Sequence, residues 1–198
     1  MTTRLALALV SLACSAACSS ASSGDKAPAP SPTENAAPNA ASLVERGRYI
    51  VSFAGCHDCH TPMKMTPNGP APDMDRALSG HPSDMPMPPA PTLPPGPWLT
   101  TVSATMTAWN GPWGTSFTAN LTPDKETGLG TWTTQNFVDT IRNGRHMGTG
   151  RPLLPPMPAQ VYAQMTTEDL EAIFAYLQTI PAISNRVPTP IAPPVAQK

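Results

Sequence analysis

Residues 56–60 read Cys-His-Asp-Cys-His, and the interpretation of the whole chain starts from these five residues. Two thiols separated by two residues can each add to one vinyl group of a haem, which gives two thioether bonds. The histidine that follows is then held beneath the iron, where its imidazole can serve as the proximal ligand. The spacing therefore predicts one covalently bound haem c, attached through Cys56 and Cys59 and ligated by His60.

Two other chemistries also use closely spaced cysteines. A structural zinc site usually needs a second pair of ligands, and the remaining cysteines, Cys14 and Cys18, both lie in the N-terminal leader. A thioredoxin-like redox pair lies in a strand–helix–strand pattern, and no strand pattern is evident around residues 56–60. Haem attachment is the favoured interpretation, with a zinc site, a redox pair or a chance match as the alternatives.

The composition limits the classes of fold and partner. The chain has 198 residues, a formal net charge of −1 and only 13% charged residues. No basic patch is visible, so nucleic acid is not an expected partner. The 27 prolines predict long irregular stretches and few strands, because proline cannot donate to a sheet ladder. In such a chain the haem would supply much of the core.

The N-terminus has the pattern of an export signal. Arg4 precedes the apolar run 5–12, and small residues lead up to Cys18. We expect residues 1–18 to be a lipoprotein-type signal and Cys18 to be the lipid-modified anchor to a membrane, placing the protein in the periplasm. An ordinary cleaved signal with a soluble product is the alternative. Residues 19–41, rich in Ser, Ala and Pro, predict a disordered tether.

Residues 42–187 are expected to form the folded domain. Ser42 and Glu45 match a capping box at the start of a first helix that runs to about residue 54. Thr131 or Thr133 is expected to cap a second helix that ends before Gly144, and Thr166 to cap the last, most clearly amphipathic helix. Residues 62–116 are expected to be an irregular insertion, with His81 as a solvated loop residue, and residues 188–198 a frayed Pro-rich tail.

Several shorter motifs carry a resemblance to a known family. They are Asn120-Leu-Thr-Pro-Asp124, Thr127-Gly-Leu-Gly-Thr-Trp132, Phe137, Ile141-Arg-Asn-Gly-Arg145 and Pro156-Met-Pro158. Together with the haem pentad they resemble class I c-type cytochromes, and in particular the cytochrome c subunits and domains that accept electrons from periplasmic membrane-bound dehydrogenases. The resemblance covers residues 42–187. The chain departs from many members of that group in having a single haem motif.

The resemblance implies a fold and a function. It implies an all-α cytochrome c-like fold, in which the first and last helices cross near the haem with Gly47 and Tyr176 at the crossing. It also implies a one-electron carrier rather than an enzyme, with a dehydrogenase as donor and an oxidase or another cytochrome as acceptor. The competing hypotheses are a haem enzyme or sensor, such as a peroxidase or gas-binding protein with a labile sixth ligand, and a scaffold without haem.

The sixth iron ligand is expected to be a methionine, because a soft thioether suits haem iron. Met157 is the first candidate, since the prolines on both sides restrict its backbone and the family pattern points to the same residue. Met147 is the runner-up, His146 a minor alternative, and Met165 is expected to pack as a hydrophobic staple before the last helix. Arg142, Arg145 and His146 either pair with haem propionates or are surface charges at a helix end.

Overall fold

The computed structural model describes residues 39–193. The predicted signal, the anchor Cys18 and most of the predicted tether therefore lie outside the described residues. Five α-helices are present in the described part of the chain: α1 (Ala40–Phe53), α2 (Cys56–His60), α3 (Thr134–Asn143), α4 (Ala159–Tyr162) and α5 (Thr167–Leu177). None of the helices within 39–193 is both long and apolar enough to cross a membrane.

The expectation of an all-α fold is wrong, because the stretch 62–116 contains two antiparallel sheets. The first pairs β1 (Met63–Thr66) with β2 (Gly69–Pro72), and the second has the order β3 (Thr101–Val102), β4 (Ala108–Gly111), β5 (Gly114–Phe117). In a two-stranded sheet each strand has a free edge, so Pro70 and Pro72 are tolerated in β2. The prolines therefore still allow one two-stranded hairpin and a second, proline-free sheet whose central strand is β4.

The three long helices follow the predicted pattern, with one shifted boundary. Thr133 caps α3 through a capping box with Asn136, and Gly144 ends it with a φ of 61°. Thr166 caps α5 by accepting from the Asp169 N–H. The start of α1 was predicted wrongly: Asn39 caps this helix by accepting from the Ser42 N–H at 2.8 Å. Glu45 does not complete a box and pairs instead with Arg48 at 2.9 Å.

The core forms where α1 and α3 pack against α5. Gly47 lies at the crossing of α1 with α5, where an added Cβ would be 1.9 Å from the Ala172 carbonyl oxygen and 2.8 Å from Tyr176 Cβ. Gly47 thus permits the close helix approach expected at this position. The buried apolar side chains of the core are Ile50, Val51, Leu78, Leu129, Phe137, Val138, Ile141, Leu170, Ile173, Phe174 and Leu177.

The C-terminal segment, residues 183–193, lies along the sheet and loop that precede α3. We call it the strap. Ile191 exchanges two backbone hydrogen bonds with Thr115 of β5, at 2.8 and 2.9 Å. Gly114 makes room for this contact, since a Cβ there would be 2.0 Å from the Ile191 carbonyl oxygen. Residues 188–193 of the predicted frayed tail are therefore held against the domain.

Asn185 anchors the other end of the strap. Its side-chain amide donates to the carbonyls of Ser79 (2.7 Å) and His81 (2.9 Å), and its oxygen accepts from the Ser83 N–H. His81 is itself fully buried, with Nδ1 2.9 Å from Thr107 Oγ1. The expectation of a solvated His81 is wrong, because its environment is built by residues far away in sequence.

Candidate functional site

The five residues of the haem motif form helix α2, directly after the bend that ends α1. Gly55 precedes it in the left-handed region, with φ at 75°, so the chain reverses direction before Cys56. After the helix, the Gly80 N–H donates to the His60 carbonyl at 2.8 Å. The C-terminal end of the motif is thus fixed to the body of the domain.

His60 is buried and oriented by one hydrogen bond. Its Nδ1 lies 2.8 Å from the carbonyl oxygen of Ala119. Burial lowers the pKa of His60, and the Ala119 hydrogen bond opposes this effect only in part. The neutral ring then carries its proton on Nδ1 and keeps the lone pair of Nε2, which is the tautomer that a metal-ligating histidine requires.

Cys56 and Cys59 are unpaired, partly buried thiols on the same helix. Burial raises the pKa of Cys56 to about 11, and burial likewise raises the pKa of Cys59. Both side chains are therefore protonated thiols near neutral pH. They are three residues apart on one turn, so they face the same side of the helix.

A mostly apolar cavity of about 390 Å³ adjoins the three residues. Its volume lies within the range of about 300–1,000 Å³ that is typical of cofactor sites. Its wall includes Cys56, Cys59, His60, Thr118, Leu129, Trp132, Phe137, Ile141, His146, Arg151, Met157, Tyr162, Met165, Ile173 and Arg186. The two thiols, the free imidazole nitrogen and the apolar wall together fit a covalent haem.

The segment that carries Met157 is fixed at two points. Ser116 Oγ of β5 donates to the Pro155 carbonyl. On the other side, the Tyr162 hydroxyl of α4 donates to the carbonyl of Ala54, at the end of α1. Met157 is partly buried, packs against the core and lines the cavity. Neither tether was predicted from sequence, because both join residues that are distant along the chain.

The structure separates the four candidates for a sixth ligand. Met157, Met165 and His146 line the cavity, whereas Met147 is not among the lining residues and its side chain is 43% exposed. The His146 ring packs edge-on against Trp132, with centroids 5.1 Å apart. Met157 and the alternatives to it remain predictions, and the position in the cavity wall favours Met157 over Met147.

Residues 118–132 contribute one wall of the cavity. Asn120 Oδ1 accepts from the N–H and the hydroxyl of Thr122, and its amide donates to the carbonyl of Ile183 at 2.8 Å. Gly128 is required by space, since a Cβ there would be 2.2 Å from the Thr122 carbonyl oxygen. This turn buries Leu129. These contacts fix the backbone next to Ala119, so that its carbonyl oxygen can accept the hydrogen bond from His60 Nδ1.

Arg142 and Arg145, which were considered as partners of the haem propionates, form hydrogen bonds to other parts of the protein. Arg142 donates to the Ala163 carbonyl and to Thr167 Oγ1, and Arg145 donates to the Gly150 carbonyl at 2.8 Å. The arginines that line the cavity are Arg151 and Arg186. Sequence reasoning missed both, since they lie in Pro-rich segments with no periodicity.

Comparisons with known proteins agree with this chemistry. No protein-family model matches the chain. The chain is 26% identical over 149 residues to one of the subunits of nicotinate dehydrogenase from Pseudomonas putida. It is 27% identical over 136 residues to the fructose dehydrogenase cytochrome subunit of Gluconobacter japonicus, and 29% identical over 140 residues to the cytochrome c subunit of quinone alcohol dehydrogenase from Gluconacetobacter polyoxogenes.

These matches cover most of this chain but little of each relative. They include 75%, 69% and 70% of the chain, respectively, and 10%, 21% and 22% of the relatives' lengths. The chain thus spans about a fifth or less of the length of these proteins. The resemblance to cytochrome c subunits of membrane-bound dehydrogenases is shown at this level.

Proposed function

Starting from this resemblance to cytochrome c subunits, we propose that the chain is a monohaem c-type cytochrome that carries single electrons. The observation that carries the proposal is the arrangement of Cys56, Cys59 and His60 at one apolar cavity, with the His60 Nδ1 held by Ala119. When bound, a haem supplies one-electron Fe(III)/Fe(II) chemistry. Electron-transfer function is also supported by two of these relatives, which are cytochrome subunits of dehydrogenases.

Each residue of the site has a distinct task in this proposal. The thiols of Cys56 and Cys59 hold the cofactor covalently, and His60 Nε2 serves as the proximal ligand. The Ala119 carbonyl orients the imidazole and increases its basicity. The apolar wall excludes water, which limits the change in solvation that accompanies a change of iron charge. Met157 is the proposed sixth ligand, supported by its place in the cavity wall and its restrained segment.

The partners and the location are further parts of the proposal. A dehydrogenase is the proposed electron donor, since the relatives are subunits of such complexes. An oxidase or another cytochrome is the proposed acceptor. The export pattern before Cys18 supports a periplasmic location, and the small residues that precede this cysteine support a lipid anchor.

The ligation is tested by substitution of Met157 in the haem-loaded protein. Met157→Ala should remove the weak near-infrared band of methionine sulfur on ferric haem, because water or a nitrogen ligand replaces the thioether. The midpoint potential should fall for the same reason. Met165→Leu is the matched control, since Met165 also lines the cavity, and it should keep the band. Loss of the band in Met165→Leu but not in Met157→Ala would overturn the assignment.

The same samples separate a carrier from a haem enzyme or sensor. If His60 and Met157 both ligate the iron, the wild-type protein should bind carbon monoxide and cyanide slowly or not at all, and Met157→Ala should bind both rapidly. Rapid binding by the wild-type protein would favour the peroxidase or gas-binding alternative.

A further inference from the structure

One wall of the cavity contains a buried polar atom that has no partner. Thr118 is only 9% exposed, and within the described part of the chain its Oγ1 is buried without a hydrogen bond. A buried hydroxyl in that state is destabilising unless a partner is supplied. Thr118 lines the cavity, so a bound group there can supply the missing partner.

The strap brings an arginine to the same wall. Arg186 follows the anchoring residue Asn185 and lines the cavity. The Asn185 amide donates to the His81 carbonyl at 2.9 Å, and the His81 N–H donates to the Thr118 carbonyl at 3.0 Å. Two hydrogen bonds, through His81, therefore link the Asn185 side chain next to Arg186 with the residue that carries the unpartnered hydroxyl.

The direction of the strap supports this placement. At one end Ile191 pairs with Thr115, and at the other end the Ile183 carbonyl accepts from Asn120. The strap thus runs antiparallel to residues 115–120, which places Arg186 beside the segment that includes Thr118 and the His60 acceptor Ala119. None of the ion pairs within residues 39–193 involves Arg186. The guanidinium is therefore not committed to a strong ion pair.

The Arg186 guanidinium and the Thr118 hydroxyl, on one wall of a mostly apolar cavity, can together bind a carboxylate. Arginine binds carboxylates through two parallel N–H donors, and such charge-assisted bonds are stronger than neutral ones. Haem is an apolar disc that carries two carboxylates. We propose that Arg186 and Thr118 form a binding site for a haem propionate, and that the strap holds the haem edge by this contact. The inference rests on the proposed haem function.

The contact has a consequence for the redox equilibrium. A fixed positive charge close to the haem favours the ferrous state, which carries one positive charge fewer than the ferric state. Removal of the Arg186 charge should therefore lower the midpoint potential. Thr118 carries no charge, so its removal should alter the hydrogen bonding of the propionate and leave the potential nearly unchanged.

The test uses the full haem-loaded chain and three variants. Resonance Raman spectroscopy reports hydrogen bonding of the propionate through its bending band, which moves to lower frequency when the bond is lost. Arg186→Gln should lower both this band and the midpoint potential, Arg186→Lys should restore the potential, and Thr118→Val should move the band alone. Because Thr118→Val conserves the shape of the side chain, it keeps the test available if Arg186→Gln does not fold.

Arg145→Gln is the matched control, since it removes the same charge from a residue that lies outside the cavity wall and donates to the Gly150 carbonyl. It should change neither readout. Unchanged band and potential in Arg186→Gln, or equal shifts in Arg145→Gln, would overturn the propionate site. A haem-sized mass increase in these samples shows that covalent haem attachment, on which the proposed function rests, holds even then, whereas its absence shows that the proposed function itself has failed.

Discussion

Replacement of Gly47 by alanine tests the crossing of α1 with α5, on which the core depends. The added methyl would lie 1.9 Å from the Ala172 carbonyl oxygen and 2.5 Å from its carbon, and both atoms belong to the backbone of α5. Ordinary contact begins at 3.4 Å. No side chain can rotate away, so the helices must separate by about 1.5 Å, the difference between 3.4 and 1.9 Å.

The free-energy change follows from what this separation does to the core. Ile50, Val51 and Leu170 are 1–2% exposed at the crossing helices. Burial of each such side chain contributes about 1.5–3 kcal/mol, and a gap of 0.5–1 Å already removes about a quarter to a half of the dispersion attraction. The loss is about 3 kcal/mol. Alanine gains about 1 kcal/mol of helix propensity over glycine, so the variant should be destabilised by about 2 kcal/mol.

The measurement is denaturant unfolding of the haem-loaded protein followed by far-ultraviolet circular dichroism. Gly96→Ala is the matched control, because a Cβ there meets nothing closer than the Pro94 carbonyl oxygen at 3.9 Å. It should change stability by no more than about 0.5 kcal/mol. A Gly47→Ala variant as stable as the wild type would refute the close crossing.

Two further predictions concern pH and the N-terminus. Burial lowers the pKa of His81 below its ordinary 6.5, so its contribution to stability is complete above pH 6.5 and is lost as pH falls towards the folded-state pKa. In this window the free energy of unfolding of the wild type should therefore fall by up to about 1.4 kcal/mol per pH unit more than that of His81→Gln. The same pH dependence of the free energy of unfolding in the two proteins would contradict this prediction. Cys18→Ala should release the domain from salt-washed membranes without a change in the haem spectrum, whereas a wild-type protein already soluble after the wash would contradict the anchor.

The helices were predictable because their signals are local. The caps Thr133 and Thr166 and the terminator Gly144 each act within four residues of their own position. The start of α1 was misplaced because Ser42 and Glu45 match a capping box equally well, while Asn39 three residues earlier provides the cap. Sequence alone does not tell which of two adequate caps the chain uses.

The strands were missed for a different reason. The signal was present in Asn68-Gly69 and in Gly111 and Gly114, which flank the two hairpin turns. The surrounding prolines outweighed it in the prediction, although the second sheet contains no proline and the prolines of β2 lie in a two-stranded sheet with free edges. A hairpin signal within a Pro-rich stretch therefore merits more weight when the strands are short.

The parts of the site that sequence did not reveal depend on contacts between distant residues. The chemical groups Cys56, Cys59 and His60 were evident from their spacing. The Ala119 carbonyl that orients His60 lies 59 residues away, and the bond from Asn185 to His81 spans 104 residues. Neither a backbone acceptor nor a strap anchored by one buried amide leaves a pattern in a single sequence.

The intact mass of the full chain, produced with a haem-attachment system, tests the central claim most directly. One haem bound through Cys56 and Cys59 predicts a mass that exceeds the processed polypeptide by one haem, and a mass increase that persists after denaturation. The double variant Cys56→Ala/Cys59→Ala should lose this increase. A wild-type mass without haem, or with two haems, would contradict the monohaem cytochrome.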